Sequence, residues 1–329
     1  MSQHSPFLSE IGPIITRYLN LKQALGRKYT TERQVLVHLD RFLAAQEHGS
    51  ELTAEIFARW CATIDHLTPG VRRSWMRISR NLCLYRRRSE PTCFVPDPAG
   101  FPTPHQPRSP HLFKPEEIVG LLRAADELRA HSTSPLRREV FRLAIVLLYT
   151  AGLRRGELVR LTLCDYDPAE HTLLIRATKF HKSRLVPLSC DATREMEEYL
   201  RARRQLPHSA DAPLLCNWSR GLRPYTGAGL GQGLRQLFRR ADVRTASGGL
   251  PRVHDLRHGF AHQALLRWYR AGIDVHTKLP ALATYMGHVS IVSTQHYLAM
   301  LEPFAQEASE RFDRHCQPFL NPGPGDREP

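Results

Sequence analysis

The sequence predicts a mainly helical α+β protein of two domains, one wholly helical and one helical around a single small β-hairpin. Three observations carry this. Apolar residues recur at helical spacing through most of the chain, the signature of amphipathic helices. Residues 172–177 and 184–187 alone read as short strands, on either side of a turn at 179–183. Seven prolines (91, 96, 98, 102, 104, 107 and 110) crowd residues 91–110 and break the chain into 1–90 and 111–329; such a run forbids regular structure and makes an extended, semi-rigid connection. At 329 residues in all, a chain of this length buries a core without disulfides or a structural metal.

The first part reads as four helices. Ile11, Ile14, Ile15, Tyr18, Leu21 and Leu25 define the first, and Thr31-Glu32-Arg33-Gln34 forms a capping box ahead of Val35, Leu36, Leu39, Phe42 and Leu43 in the second. The third follows from Thr53 with Ile56, Phe57, Trp60 and Ile64. The fourth sets Val71, Trp75, Ile78, Leu82 and Tyr85 on one stripe and Arg73, Arg77, Arg80 and Arg87 on the other. One side packs, and the other is either a solvated charged face or a surface for phosphates. Beyond the prolines come a helix at 114–129, a nearly all-apolar helix at 137–151 ended by Gly152, the hairpin, and helices at about 191–204, 227–241, 254–271, 278–286, 290–298 and 302–314. Residues 316–329, with Asn321-Pro-Gly-Pro-Gly325, read as a disordered tail.

Charge narrows the partner. Lys and Arg number 46 against 32 Asp and Glu, a formal net charge of +14. The excess is +6 up to residue 110 and +8 beyond it, and forty of the cations are arginine. The ratio reads either as GC-rich coding or as a preference for arginine's planar fork, which suits phosphate, and an excess of this size favours a polyanion, DNA or RNA. The longest apolar run, residues 143–149, is far short of the roughly 20 residues a bilayer needs, and the first residues lack the pattern of a secretion signal. A cytoplasmic protein is expected. The seven cysteines are scattered and never in a C-x-x-C pair, so neither a disulfide framework nor a thiolate zinc site is signalled.

Four blocks carry chemistry. Thr150-Ala-Gly-Leu-Arg-Arg-Gly-Glu-Leu158 puts Arg154 and Arg155 just past the end of a core helix, where a cation also complements the helix dipole. Thr178-Lys-Phe-His-Lys-Ser-Arg184 makes a hairpin turn with Lys179, Lys182 and Arg184, three cations that either solubilise the tip or reach a phosphate. His254-Asp-Leu-Arg257 opens a helix with an imidazole and a guanidinium on one face at its positive end. His254, His258 and His262 repeat every four residues, but without the glutamate of H-E-x-x-H or a nearby cysteine no metal site is expected. Last, Met286-Gly-His288 precedes a short helix that Ser290 could cap and that carries Tyr297.

Taken in order, these blocks resemble the tyrosine recombinase (phage integrase) family, the DNA breaking and rejoining enzymes of the lambda-integrase and Xer kinds. The matching blocks are Ala151-Gly-Leu-Arg-Arg-Gly-Glu-Leu158, Thr178-Lys179 leading to Arg184-Leu-Val-Pro-Leu188, His254-Asp-Leu-Arg-His258, and Gly287-His288 followed by Tyr297. The resemblance implies a helical core-binding domain (1–90), a Pro-rich linker (91–110) and an integrase-type catalytic domain (111–315). It implies that Arg154, Lys179, His254, Arg257 and His288 are catalytic with Tyr297 as nucleophile, Lys182 being the alternative cation of the turn. It further implies a 3′-phosphotyrosyl intermediate with no metal or other cofactor, and double-stranded DNA as partner, gripped by a two-domain clamp. Arg73, Arg77, Arg80, Lys182 and Arg184 are expected as DNA contacts. A tetramer on two DNA sites is expected, the helix at 302–314 docking on a neighbouring subunit. With no room before residue 10 for an arm-binding domain, a core-only recombinase is expected. Two other functions fit the same residues, DNA relaxation of the type IB topoisomerase kind and a non-catalytic DNA-binding regulator. One departure is the stretch of 31 residues from Arg257 to His288, lengthened by residues 268–280.

Overall fold

Each of the two amphipathic runs closes on its own apolar core. The computed structural model describes residues 7–46, 51–103, 109–176, 183–207, 209–218 and 221–288. The chain divides into a first unit, 1–108, and a second, 109–329. The helices expected near 290–298 and 302–314, the tail, and the turn residues Lys179 and Lys182 lie outside the described residues.

In the first unit, α1 (Gly12–Ala24), α2 (Thr30–Ala44), α3 (Ala54–Thr63) and α4 (Pro69–Arg86) bury Ile15, Leu36, Leu39, Trp60, Ile64 and Leu82 at their centre. Buried Asp40 accepts hydrogen bonds from the Leu8 and Ser9 amides and the Ser9 hydroxyl, at 2.8, 3.0 and 2.6 Å, and so anchors the segment ahead of α1. The capping box expected at Thr31 does not form, because α2 begins two residues earlier, with Tyr29 as N-cap and no side-chain cap. Thr53 does cap α3, accepting from the Ile56 amide. On α4 the packed stripe runs through Met76, Ile78, Ser79, Leu82 and Cys83, while Val71 in the first turn is exposed.

The proline-rich segment departs furthest from expectation. Phe94, Val95 and Phe101 pack on the first core, and Pro98–Gly100 forms a 3-10 turn in which the Asp97 carboxylate accepts from the Ala99 amide at 2.9 Å. Prolines supply no amide donors, but their carbonyls are good acceptors. Arg73 Nη1 donates to the Pro102 carbonyl at 2.6 Å and Arg80 Nε to that of Pro96 at 3.0 Å. Up to residue 103 the segment is therefore part of the first unit.

The second unit is built around α6 (Arg137–Thr150), in which eight residues from Val140 to Leu148 are buried. Helices α5 (Pro115–Asp126), α8 (Cys190–Arg203), α9 (Gly227–Arg240) and α10 (Val253–Arg270) pack around it, and the single-turn α7 (Arg155–Leu158) follows it. Arg142 on α6 ties α5 to α8 by pairing with Asp126 at 2.7 Å and with Glu195. The expected hairpin is present as β2 (Thr172–Ile175) and β3 (Arg184–Pro187), joined antiparallel by β1 (Tyr166–Asp167). Its register, Leu173 opposite Val186 and Ile175 opposite Arg184, turns Leu173, Ile175 and Val186 into the core. A second ribbon, β4 (Cys216–Trp218) with β5 (Leu222–Pro224), was not predicted. The long stretch at 268–280 is not a loop. It forms the last turn of α10, a short bend and the start of α11 (Val275–Met286), and the two helices share a core of Leu265, Val275, Leu279, Leu282 and Met286.

Candidate active site

The site begins where α6 stops. Gly152 takes a left-handed conformation, φ +59°, and a Cβ there would lie 2.4 Å from the Phe260 ring, so only glycine fits. The chain then turns into α7 with Arg154 as its N-cap and Glu157 at the third helical position. Glu157 caps backward, accepting from the Arg154 amide at 3.0 Å and from Arg154 Nη1 at 2.7 Å. Its carboxylate also takes a two-pronged bond from Arg184 on β3, at 3.1 and 2.9 Å, and Arg257 Nη1 stands 3.9 Å away. Glu157 is 3% exposed. Burial alone would raise its pKa, but the bonds from Arg184 and Arg154 outweigh this and hold the carboxyl at about 2. One carboxylate thus faces three guanidiniums, which leaves the pocket strongly positive.

The same three arginines grip the end of α11. Arg184 Nε donates to the Tyr285 carbonyl at 2.7 Å, Arg257 Nη2 to Met286 at 2.6 Å and Arg154 Nη2 to Gly287 at 2.7 Å. Successive carbonyls at a helix C-terminus have no partners within the helix and carry its negative dipole, so cations belong there. Arg257 also donates to the Gly152 carbonyl at 2.5 Å, which joins the two glycine turns. Gly287, at φ +65°, reverses the chain, and the His288 amide closes the turn on the Ala283 carbonyl at 2.8 Å. His288 is thereby delivered beside Arg257 and Arg154.

His254 occupies the first turn of α10, where Arg252 and the buried Asp255 form a capping pair. Its ring is edge-on to His258 at 4.6 Å. Loss of solvent around the ring, then His258, Arg257 and Arg154, push its pKa down to about 4, although Asp255 pulls the other way. His288 is held at about 4 by burial and then by Arg257, Arg154 and the two neighbouring histidines. Both imidazoles are neutral at pH 7.

Four sequence-predicted residues, Arg154, His254, Arg257 and His288, therefore come together, while Lys179, Lys182 and Tyr297 lie outside the described residues. Arg184 is a correction. It was expected to touch DNA, but its side chain is 9% exposed and spent on Glu157 and the Tyr285 carbonyl. Arg73 and Arg80, also expected to touch DNA, are half-buried and each donates to a carbonyl of the proline-rich segment, whereas Arg77 is exposed. Sequence reasoning assigned no role to Glu157 or Gly287. The signal for Glu157 was its position three residues after an N-cap; for Gly287 it was a glycine closing a helix. Among the described residues no group of three or more His, Cys, Asp or Glu is placed to hold a metal ion.

Arginine forks beside neutral imidazoles are the makings of a phosphoryl-transfer centre. Comparison with known proteins gives that centre its family. The phage integrase family matches residues 112–302. The chain is 32% identical over 315 residues to y4rB of Sinorhizobium fredii, a protein named as an integrase/recombinase, covering 94% of this chain and 99% of that one. It is 33% identical over 211 residues to the tyrosine recombinase XerD of Rhizobium meliloti, covering 63% of each. In fold it is similar to the XerH site-specific recombinase bound to palindromic difH substrate, with TM-score 0.61, 19% identity and coverage of 85% and 78%. It is equally similar to the Tn1549 transposon integrase in complex with transposon right end DNA, with TM-score 0.61, 18% identity and coverage of 91% and 98%. The chain belongs to the phage integrase family, the tyrosine recombinases. Its activity is accordingly site-specific recombination. No helix among the described residues is long and apolar enough to cross a membrane.

Proposed function

We propose that this recombinase cuts and rejoins double-stranded DNA through a 3′-phosphotyrosyl link to Tyr297. The observation that carries the reading is the convergence of Arg154, Arg257, His254 and His288 at the end of α11, eleven residues before that tyrosine in sequence. A phenol has a pKa near 10 and is a poor nucleophile at neutral pH, so it needs a base and a cationic setting. Neutral His254 takes the phenolic proton as the tyrosine oxygen bonds to phosphorus. The bond from phosphorus to the 5′-oxygen breaks, its electron pair stays on that oxygen, and Lys179 supplies the proton that makes it a hydroxyl. Arg154 and Arg257 bind the non-bridging oxygens where negative charge accumulates, and His288 donates a hydrogen bond to the same phosphate. The phosphotyrosyl bond stores the energy for rejoining, so no cofactor enters.

Each protomer makes one such cut, and exchange between two duplexes requires four, so the working assembly is a tetramer on two DNA sites, acting in the cytoplasm where its DNA is. Both units contribute cationic surface, with exposed Arg77 and Arg87 serving the first. The neighbours determined with DNA, XerH on difH and the Tn1549 integrase on transposon end DNA, support duplex DNA as the partner.

A pool of nicked suicide duplexes incubated in EDTA tests this. A covalent protein–DNA adduct is expected from the wild type and none from Tyr297→Phe. An adduct that survives Tyr297→Phe, or none from a duplex that the protein demonstrably recombines, overturns the mechanism.

A further inference from the structure

Arg184 holds the strand leaving the Lys179 turn and the helix end leading to His288 at the same time. Its backbone ends the β2–β3 ladder opposite Ile175, five residues after Lys179 in sequence. Its guanidinium forks onto Glu157 at 3.1 and 2.9 Å while its Nε reaches the Tyr285 carbonyl at 2.7 Å. Glycine at 287 leaves this path open: a Cβ there would stand 2.7 Å from Arg184 Nη1, on a backbone at φ +65° that side chains rarely adopt. A lysine could not make these contacts, because an ammonium lacks the planar fork. Stability alone does not call for an ion pair in this place either, since well-packed apolar residues commonly replace buried pairs without loss.

We propose that Arg184 is a positioning residue for cleavage that couples the hairpin to the end of α11, so that the two sides of the scissile phosphate are set by a single side chain. This rests on the roles given above to Lys179 and Tyr297. On one side lies the proton delivery to the leaving oxygen. On the other lie the phosphate contact of His288 and the approach of the tyrosine. Glu157 is the fixed point between them, because it receives Arg154 and Arg184 together and has Arg257 at 3.9 Å. Arg184 itself touches neither DNA nor the reacting atoms.

The test compares the wild type, Arg184→Gln, Gly287→Ala and Lys179→Ala on suicide duplexes that carry either oxygen or sulfur at the bridging 5′ position. A thiolate leaves without needing a proton, so sulfur bypasses Lys179. With oxygen, Arg184→Gln should cleave about 10- to 100-fold more slowly at saturating DNA, the range expected for losing hydrogen bonds between charged groups, with its duplex affinity unchanged. Sulfur should recover part of that loss, namely the hairpin's share. Gly287→Ala, whose Cβ crowds the guanidinium and strains the left-handed turn while leaving every charge in place, should show the same pattern, and the double variant should be no slower than the slower single. It carries the test if Arg184→Gln does not fold.

Cleavage at the wild-type rate overturns the proposal, as does a loss of affinity that matches the loss of rate. Full recovery with sulfur would confine Arg184 to the hairpin and no recovery would confine it to α11, and either refutes the coupling. A wild type without adduct, or a Lys179→Ala enzyme that sulfur does not rescue, would instead strike at the functional reading beneath it.

Discussion

Glu157 has no part in the bond-breaking steps, yet it organises the residues that do. It is the common anion of Arg154, Arg184 and Arg257, and removing one partner of a buried ion pair leaves the others uncompensated, at a cost of about 3–5 kcal/mol. Glu157→Gln should therefore lower the unfolding free energy by about that amount and weaken cleavage more than DNA binding; urea unfolding and adduct assays check both. Its carboxyl lies near 2, below the ordinary 4.5. A depressed carboxylate contributes stability that is complete above the unfolded value and is lost as pH falls from 4.5 through 2. The histidines act in a higher window. His254 and His288 are held near 4 against an ordinary 6.5, and His258 and His262 are shifted the same way. The unfolded chain therefore takes up protons first, and stability declines as pH drops from 6.5 toward 4. Urea midpoints between pH 8 and pH 3 should show this first decline, and replacing His254 and His288 by Gln should flatten it. The four motif residues were legible in the sequence because their chemistry is written into local spacing. Glu157 and Gly287 were not, because their importance lies in partners 27 and 103 residues away, Arg184 in each case.

At the scale of elements, what was legible was the long and strongly periodic. α6, α8, α9 and α10 fall within a residue of expectation, because an apolar face running the length of the helix leaves no other solution. The ribbon of β4 and β5 escaped notice because three residues a side are too few to show alternation. The capping box before α2 matched a pattern that Tyr29 pre-empts: with its left-handed backbone at the N-cap the helix starts two residues early, and its hydroxyl lies 3.1 Å from that of Tyr18. In the proline-rich segment composition forbids a long helix but does not forbid docking, and its carbonyls meet Arg73 and Arg80. Arg80→Ala should accordingly speed proteolysis within residues 94–103 and leave the salt dependence of DNA binding intact. Arg77→Ala should do the reverse, lowering affinity on every sequence and reducing the magnitude of the slope of log K against log salt by about one. Limited digestion and binding titrations at several salt concentrations separate the two.

For the whole molecule, the division at residue 108 and the net charge of +14 are the governing facts. The core of the second unit is closed by its own helices and sheet, so residues 109–329 produced alone should melt cooperatively in a calorimeter, without the first unit. Charge spread over both units predicts steep electrostatics on DNA: if six to ten phosphates are engaged, affinity should fall by roughly 10³- to 10⁵-fold between 50 and 200 mM salt. A shallow dependence would mean that most of the forty arginines face solvent without serving the duplex.

The end of α11 also bears on dynamics. Helix termini ordinarily fray first, and their amides exchange with solvent fastest. Here the last carbonyls, those of Tyr285, Met286 and Gly287, are each held by an arginine anchored elsewhere in the unit, so opening the last turn breaks three charge-assisted bonds together. The gradient of protection along this helix should run backward. Deuterium should enter the first turn, around His276 and Thr277, well before it reaches the amides of Gly287 and His288, and the chain leading on toward Tyr297 starts from the most slowly opening end of its helix.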